Sequence, residues 1–351
     1  MRFFIRSLIV ILLVVAMIFA WFSYRFFYLP VTTTPKLFIV KPDETIDQLS
    51  LRLSQQHLIP DRFYFLGMAK LYKVSRLKSG EYQLDAHSTA NQLLQKLQKG
   101  QILYRKITFV EGWTFKQMLT AIRHNPYLAH TLPDTLGDSI PQKMAFEGLF
   151  YPDTYLFSLG TKDTKILQMS RSLMQKKFRA AWLKRAPNLP YQAPYQALII
   201  ASMVEKETAN FQERPIIAGI ILKRLQLGMR LQIDATVIYG LGQDHPKNLT
   251  RVELLQDTPY NTYTRKGLPP TPIAMPSYSS IQAALHPQNT PYLYYVAKGD
   301  GTHRFSENLQ AHHAATQKYL AAVESHKAVA IPKMCFSAAL LQNSWKSGIT
   351  P

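Results

Sequence analysis

The sequence predicts an α+β protein with an N-terminal transmembrane helix, a small α+β unit and a larger mixed α/β domain. Three observations predict this. Every residue from Leu8 to Phe22 is apolar or aromatic. Strand-like runs then alternate with helix starts of the form Thr-x-x-Gln. Beyond Phe146, longer helical segments, an irregular Pro/Tyr-rich stretch and a β-hairpin pattern follow. A length of 351 residues accommodates an anchor and two or three folded units. The expected division is 1–28 anchor, 29–36 linker, 37–105 small domain, 106–325 large domain and 326–351 tail.

The apolar segment, extended by Phe3, Phe4 and Ile5 around Arg6, is just long enough to cross a bilayer. Arg2, Arg6 and the amino group precede it, which favours a cytoplasmic N-terminus with the rest of the chain outside. The alternative is a cleaved signal peptide, but Ala16 and Ala20 are followed by bulky residues and offer no small-x-small site. Residues 28–36, YLPVTTTPK, have the composition of a linker.

Leu37–Val40 reads as a strand, Lys41-Pro42-Asp43 as a turn and Thr45-Ile46-Asp47-Gln48 as a capping box. Ile46, Leu49 and Leu53 then share one helical face. The box recurs at Thr89–Gln92 and Thr114–Gln117, preceded by strand-like Gly80–Leu84 and Leu103–Val110. The run VKPDETIDQLS resembles the opening of a LysM module, which implies a small unit able to hold glycan by shallow contacts. A rigid spacer is the other reading. Farther on, helices are expected over Asp163–Leu183, Tyr195–Thr208, Pro215–Leu227 and Glu307–Glu324. Tyr292–Ala297 and Thr302–Phe305, joined by Lys-Gly-Asp-Gly, read as a hairpin. The irregular Asn261–Ser279 is a candidate cleft wall.

Composition narrows the function. The chain is 47% hydrophobic and 18% charged, which describes a globular protein. A formal net charge of +19 suggests a polyanionic neighbour. No zinc-finger spacing, RNP-like aromatic run or separate basic arm accompanies it, so nucleic acid is not the expected partner. The single cysteine, Cys335, excludes an internal disulfide scaffold.

If YQALIIASMVEKETANFQER is helical, Ile200, Met203, Val204 and Glu207 lie on one face, and Glu205 points about 160° away. A glutamate ending an apolar stripe should hold its proton to higher pH, as a general acid must. Periodicity alone equally allows a helix end with both glutamates solvated. Asp234, in LQIDATVIYG, reads either as a second carboxylate beside that acid or as a helix N-cap.

The strings ASMVEKETA, RLQLGMRLQIDATVIYGLG, YNTYTRKGLPPTPIAMP and PYLYYVAKGDGTHRFSENLQAH closely resemble the MltG (YceG-like) family of endolytic murein transglycosylases. The likeness runs from about Glu147 to Leu320. It departs from the family at Met275, where a small or polar residue is more usual, and the tail after Lys327 is unmatched. The resemblance makes Glu207 the catalytic residue and implies a peptidoglycan cleft in the mixed α/β domain. It implies a lyase that cleaves the MurNAc–GlcNAc bond of nascent strands and leaves 1,6-anhydro ends. Implied partners are peptidoglycan glycan strands, the cytoplasmic membrane, and penicillin-binding proteins with the elongation or division machinery. A muramidase-type hydrolase and a non-catalytic peptidoglycan-binding scaffold are the competing readings.

Candidate substrate contacts are Gln232, Asp234, Tyr260, Asn261, Thr262, Tyr263 and Asn308, offering aromatic faces and amides; structural tyrosines are the alternative. Glu147, in EGLFYPDTY, is read as a packing residue in preference to a second acid. His303, His312 and His313 lack metal-ligand spacing, so no metal or cofactor is expected. Arg214, Arg224, Arg230 and Arg251 are expected on the surface.

Overall fold

The computed structural model describes residues 2–74, 76–136, 146–242 and 249–325. The expected tail at 326–351, with Cys335, lies outside the described residues. The chain divides into two compact units. The first comprises residues 1–106, 127–129 and 156–162, and the second the remainder.

In the first unit, α1 (Arg2–Phe27) is the apolar helix. Its C-terminal end is continuous with the unit's core, because Phe26 is fully buried. Tyr64 stacks on Phe22 at 5.9 Å, and its hydroxyl lies 2.8 Å from Ser23 Oγ. The β1 strand (Lys36–Val40) pairs antiparallel with β2 (Gly80–Leu84), Phe38 opposite Tyr82. Between them lie α2 (Ile46–Gln55) and α3 (Arg62–Leu71), and α4 (Ala90–Gln98) follows. Both expected capping boxes form: Thr45 accepts from the Gln48 amide and Thr89 from that of Gln92, each glutamine side chain reaching back to the cap. The buried faces carry Leu49, Leu53, Phe65, Leu93, Leu94 and Leu97.

The stretch with linker composition is fastened down. The Val31 amide donates to Ser88 O at 2.8 Å, the His87 amide to Thr32 O at 2.8 Å, and Pro30 bridges Thr89. Composition signals loose chain, but backbone pairing holds these residues to the unit.

The second unit is mainly helical. Helix α5 (Phe115–Arg123) carries the third capping box, with Thr114 and Gln117. Then come α6 (Asp163–Leu183), α7 (Pro194–Glu207), α8 (Arg214–Gln226), α9 (Asp234–Leu241), α10 (Arg251–Leu255), α11 (Tyr278–Leu285) and α12 (Leu309–Ser325). Helix α8 ends before Gly228, whose φ of 65° suits a residue without Cβ. Along the chain, the short strands β3 (Tyr104–Thr108), β4 (Leu128–Ala129), β5 (Thr154–Ser158) and β6 (Thr161–Lys162) precede the expected hairpin, which forms from β7 (Tyr294–Ala297) and β8 (His303–Ser306), antiparallel, with Tyr295 opposite Phe305.

The core centres on α7, buried on every side from Ala197 to Val204 and packed against α8 and α11. Its apolar residues therefore form no stripe, and the solvated-end alternative does not hold. Leu231–Ile233 is not a strand. Hydrogen bonds from the Gln232 amide to Thr262 O at 3.1 Å and from the Ile233 amide to Thr262 Oγ1 at 2.9 Å hold that segment.

Candidate active site

Helix α7 starts at Pro194, whose missing N–H costs nothing in a first turn, and stops where Thr208 turns extended at φ −145° and ψ 137°. Glu207 is its last residue and only 9% exposed. The Tyr295 hydroxyl, on β7, donates to Glu207 Oε2 at 2.7 Å. Burial pushes this carboxyl above the ordinary range, against the Tyr295 hydrogen bond and the positive charge of His303 and Arg224. The negative end of the α7 dipole acts in the same direction as burial.

The residues behind Tyr295 are fixed in turn. Its ring meets the His303 ring edge-on at 5.6 Å and 87°. His303 Nδ1 lies 2.7 Å from Glu213 Oε2, and the His303 amide donates to Glu213 Oε1 at 2.8 Å. Thr208 Oγ1 donates to the same carboxylate at 3.2 Å. Two adjacent strands and two helix ends thus converge on Glu207.

Asp234 is the first residue of α9; the cap is Ile233, which makes no side-chain hydrogen bond. The N-cap alternative therefore fails, and the Asp234 carboxylate instead receives the Tyr263 hydroxyl. Burial raises Asp234 to about 7, Tyr263 opposes that rise, and the nearby charge of Glu207 adds to it. Burial and the charges of Asp234 and Glu207 also hold Tyr263 in its neutral, donating form. Glu207, Asp234, Tyr263 and Tyr295 thus form one electrostatically connected group. Gln232, two residues before Asp234, is exposed and adopts φ 53°.

The other candidates lie differently. Tyr260, Asn261 and Thr262 are all buried. Tyr260 bonds Thr271 Oγ1 at 2.8 Å, and its ring packs on Tyr239. Asn261 donates to Leu254 O at 3.0 Å and Gln256 O at 2.8 Å and accepts from the Tyr263 amide at 2.8 Å. Thr262 holds Ile233 and lies 2.9 Å from Thr236 Oγ1. All three shape the loop from within and present no sugar-sized surface. Asn308 is exposed and caps α12, accepting from the Ala311 amide at 2.9 Å. His312 is buried against the Tyr294 ring, and burial lowers it to about 4.

Two expected surface arginines are buried, because each finds internal acceptors. Arg214 pairs with Glu205 at 3.2 Å, and Ser277 donates its amide to that glutamate at 2.9 Å. Arg224 donates to Leu293 O and Leu231 O, both at 2.7 Å, tying the approach to β7 to the segment before Asp234. Glu147 is wholly buried, accepting from the Phe115 amide at 3.0 Å and the Tyr239 hydroxyl at 3.0 Å, which is a packing role.

Sequence reasoning missed Tyr295 and the Glu213–His303 pair. The hairpin register could have placed Tyr295, Phe305 and His303 on one sheet face. Nothing in the sequence says that this face meets the end of α7.

The YceG-like family model matches residues 38–318. The endolytic murein transglycosylase of Bacillus subtilis is 29% identical over 79% of this chain and 82% of its own length. That of Streptococcus pneumoniae is 25% identical over 83% of this chain and 61% of its own length. Among solved structures, a YceG-like protein from Listeria monocytogenes matches with a TM-score of 0.54 at 27% identity, over 81% of this chain and 99% of that one. With a match running from the first unit through the Glu207 cluster to the last helix, this chain belongs to the YceG-like family.

Proposed function

We propose that this protein is a membrane-anchored endolytic lytic transglycosylase and that Glu207 is its acid and base. The observation that carries this reading is a carboxyl buried at a helix end, held above its ordinary range and oriented by the Tyr295 hydroxyl. Protonated Glu207 donates to the glycosidic oxygen between N-acetylmuramic acid and N-acetylglucosamine, and the C1–O bond breaks. The resulting carboxylate takes the proton from the C6 hydroxyl of the same muramic acid, whose oxygen closes onto C1. Glu207 ends protonated, no water is consumed and the product is a 1,6-anhydro end. Because the nucleophile belongs to the substrate, proximity replaces an activated water.

The Tyr295 hydroxyl supports the carboxylate as charge develops on it. Asp234, held by Tyr263, presents a second carboxyl to the same substrate, with Gln232 at the rim and Asn308 a more distant contact. Tyr260, Asn261 and Thr262 serve that surface indirectly, by fixing Tyr263 and the segment before Asp234. The partner carboxyl favours one further reading, a muramidase-type hydrolase, which works with two carboxyl groups about 5–10 Å apart.

The first unit, LysM-like in its opening strand, turn and capped helix, is assigned to glycan contact near the membrane. Helix α1 is an uncleaved anchor in the cytoplasmic membrane, with the folded units outside. Its burial of Phe26 supports an anchor, because cleavage beyond that residue would remove a core ring. At work on nascent strands, the enzyme sits close to penicillin-binding proteins and the elongation or division machinery.

Digestion of purified peptidoglycan, with products weighed, tests the assignment. Wild type should give ends lighter by one water than reducing ends, and Glu207→Gln should give none. Reducing ends from wild type would establish the hydrolase, and anhydro products from the variant would reassign the acid.

A further inference from the structure

Helix α3 carries large apolar side chains on both of its faces. Phe65 and Ala69 point into the core of the first unit, yet Phe63 is 76% and Leu71 69% exposed. On a helical wheel Phe63, Gly67, Lys70 and Leu71 form one outward stripe, with Leu66 at its edge. Arg62 lies over the Phe63 ring at 5.8 Å, and Lys70 and Lys73 are exposed at the far end. A single exposed leucine needs no explanation. An apolar stripe flanked by cations has the make-up of a helix that lies in a membrane interface.

The position of α3 along α1 supplies the second argument. A bilayer core of about 30 Å takes about 20 helical residues. Counted outward from Arg6, the last charge at the inner end, that length finishes near Phe26. Trp21, Tyr24 and Tyr28 are exposed around this level, as aromatic residues are at a lipid–water boundary. Tyr64 of α3 touches α1 at the same level: its ring is 6.0 Å from Phe19, 5.9 Å from Phe22 and 5.4 Å from Phe26. On the wheel Tyr64 neighbours Leu71 and Gly67, so the outward stripe begins beside the contact with the spanning helix.

Resting on the anchor reading above, we infer that the outward face of α3 lies in the outer leaflet of the bilayer that α1 crosses. Phe63 and Leu71 sit at the boundary between headgroups and acyl chains, and Lys70 and Lys73 meet lipid phosphates, while Arg62 stays paired with Asp47 at 2.9 Å. Continuity with the spanning helix selects lipid as the occupant, and the two exposed lysines complement an anionic surface.

The full chain with Cys335→Ser, reconstituted in vesicles of phosphatidylethanolamine and phosphatidylglycerol, provides the test. Phe63→Cys, Leu71→Cys and Val14→Cys are each labelled with an environment-sensitive fluorophore. Quenching is measured by a nitroxide on the lipid acyl chain and by iodide in the water. The probes at 63 and 71 should be quenched by the nitroxide, with an iodide slope several-fold below that of free dye. Strong iodide quenching at both positions would overturn the inference. Protection from iodide without nitroxide quenching would overturn it too, by showing a protein covering the stripe. The probe at 14 separates the two readings: if the nitroxide does not quench it, the anchor itself fails and this inference with it.

Discussion

Replacing Glu147 by glutamine should flatten the pH dependence of folding stability while leaving catalysis in place. The Glu147 carboxyl is pushed by burial from 4.5 to about 8, against hydrogen bonds from Tyr239 and the Phe115 and Gly148 amides and the charge of Lys206. A carboxyl with a folded value above its unfolded one binds more protons in the native state. Its contribution is therefore fully present below about pH 4.5 and is lost as pH rises through about 8. Applied to these two values, linkage gives a loss on the order of 4 kcal/mol between pH 5 and pH 9. Glutamine keeps an acceptor for Phe115 and Tyr239 and cannot ionise. Urea unfolding of the full chain in detergent, followed by tryptophan fluorescence at several pH values, reads the difference between the two proteins. The variant should gain on the wild type steadily as pH rises. Parallel stability curves would refute the buried, proton-holding Glu147, and loss of anhydro product in the variant would refute its assignment to packing.

Two further predictions concern the Glu207 cluster. Tyr295→Phe removes a hydrogen bond to a carboxylate, an interaction worth about 1.5–3 kcal/mol, so kcat/KM should fall roughly ten- to a hundredfold. The alkaline limb of its pH profile should move upward, because the anion loses a donor; an unchanged profile would exclude Tyr295 from the chemistry. Asp234→Asn removes one of two carboxyls that share a field, so a profile governed by two coupled ionisations should simplify to one. The same number of ionisations in wild type and variant would separate Asp234 from the acid.

What the sequence made legible was local. A capping box is written within four residues, and all three expected boxes close with their paired hydrogen bonds. The hairpin around Lys298–Gly301 was readable for the same reason, as were the ends of α6, α7 and α8 to within a residue or two. Glu207 was reached by helical spacing and family likeness together. The illegible part was long-range. Arg224 looks like a surface cation until carbonyls at Leu231 and Leu293 arrive to accept from it. Tyr260, Asn261 and Thr262 look suited to sugar because they are aromatic and polar, yet those same groups satisfy the interior of a loop that lacks regular hydrogen bonding. Tyr295 went unseen because its partner lies 88 residues away in the chain.

The stitching of residues 30–32 onto residues 87–89 has a mechanical consequence. A tether stores slack, and lengthening it lets a domain wander farther from its mooring. Here the chain leaves the apolar helix and is stitched down almost at once, so the first unit rides on its mast with no rope to pay out. Extra residues inserted near Thr33 would bulge sideways as an idle loop and would leave the unit at its original height.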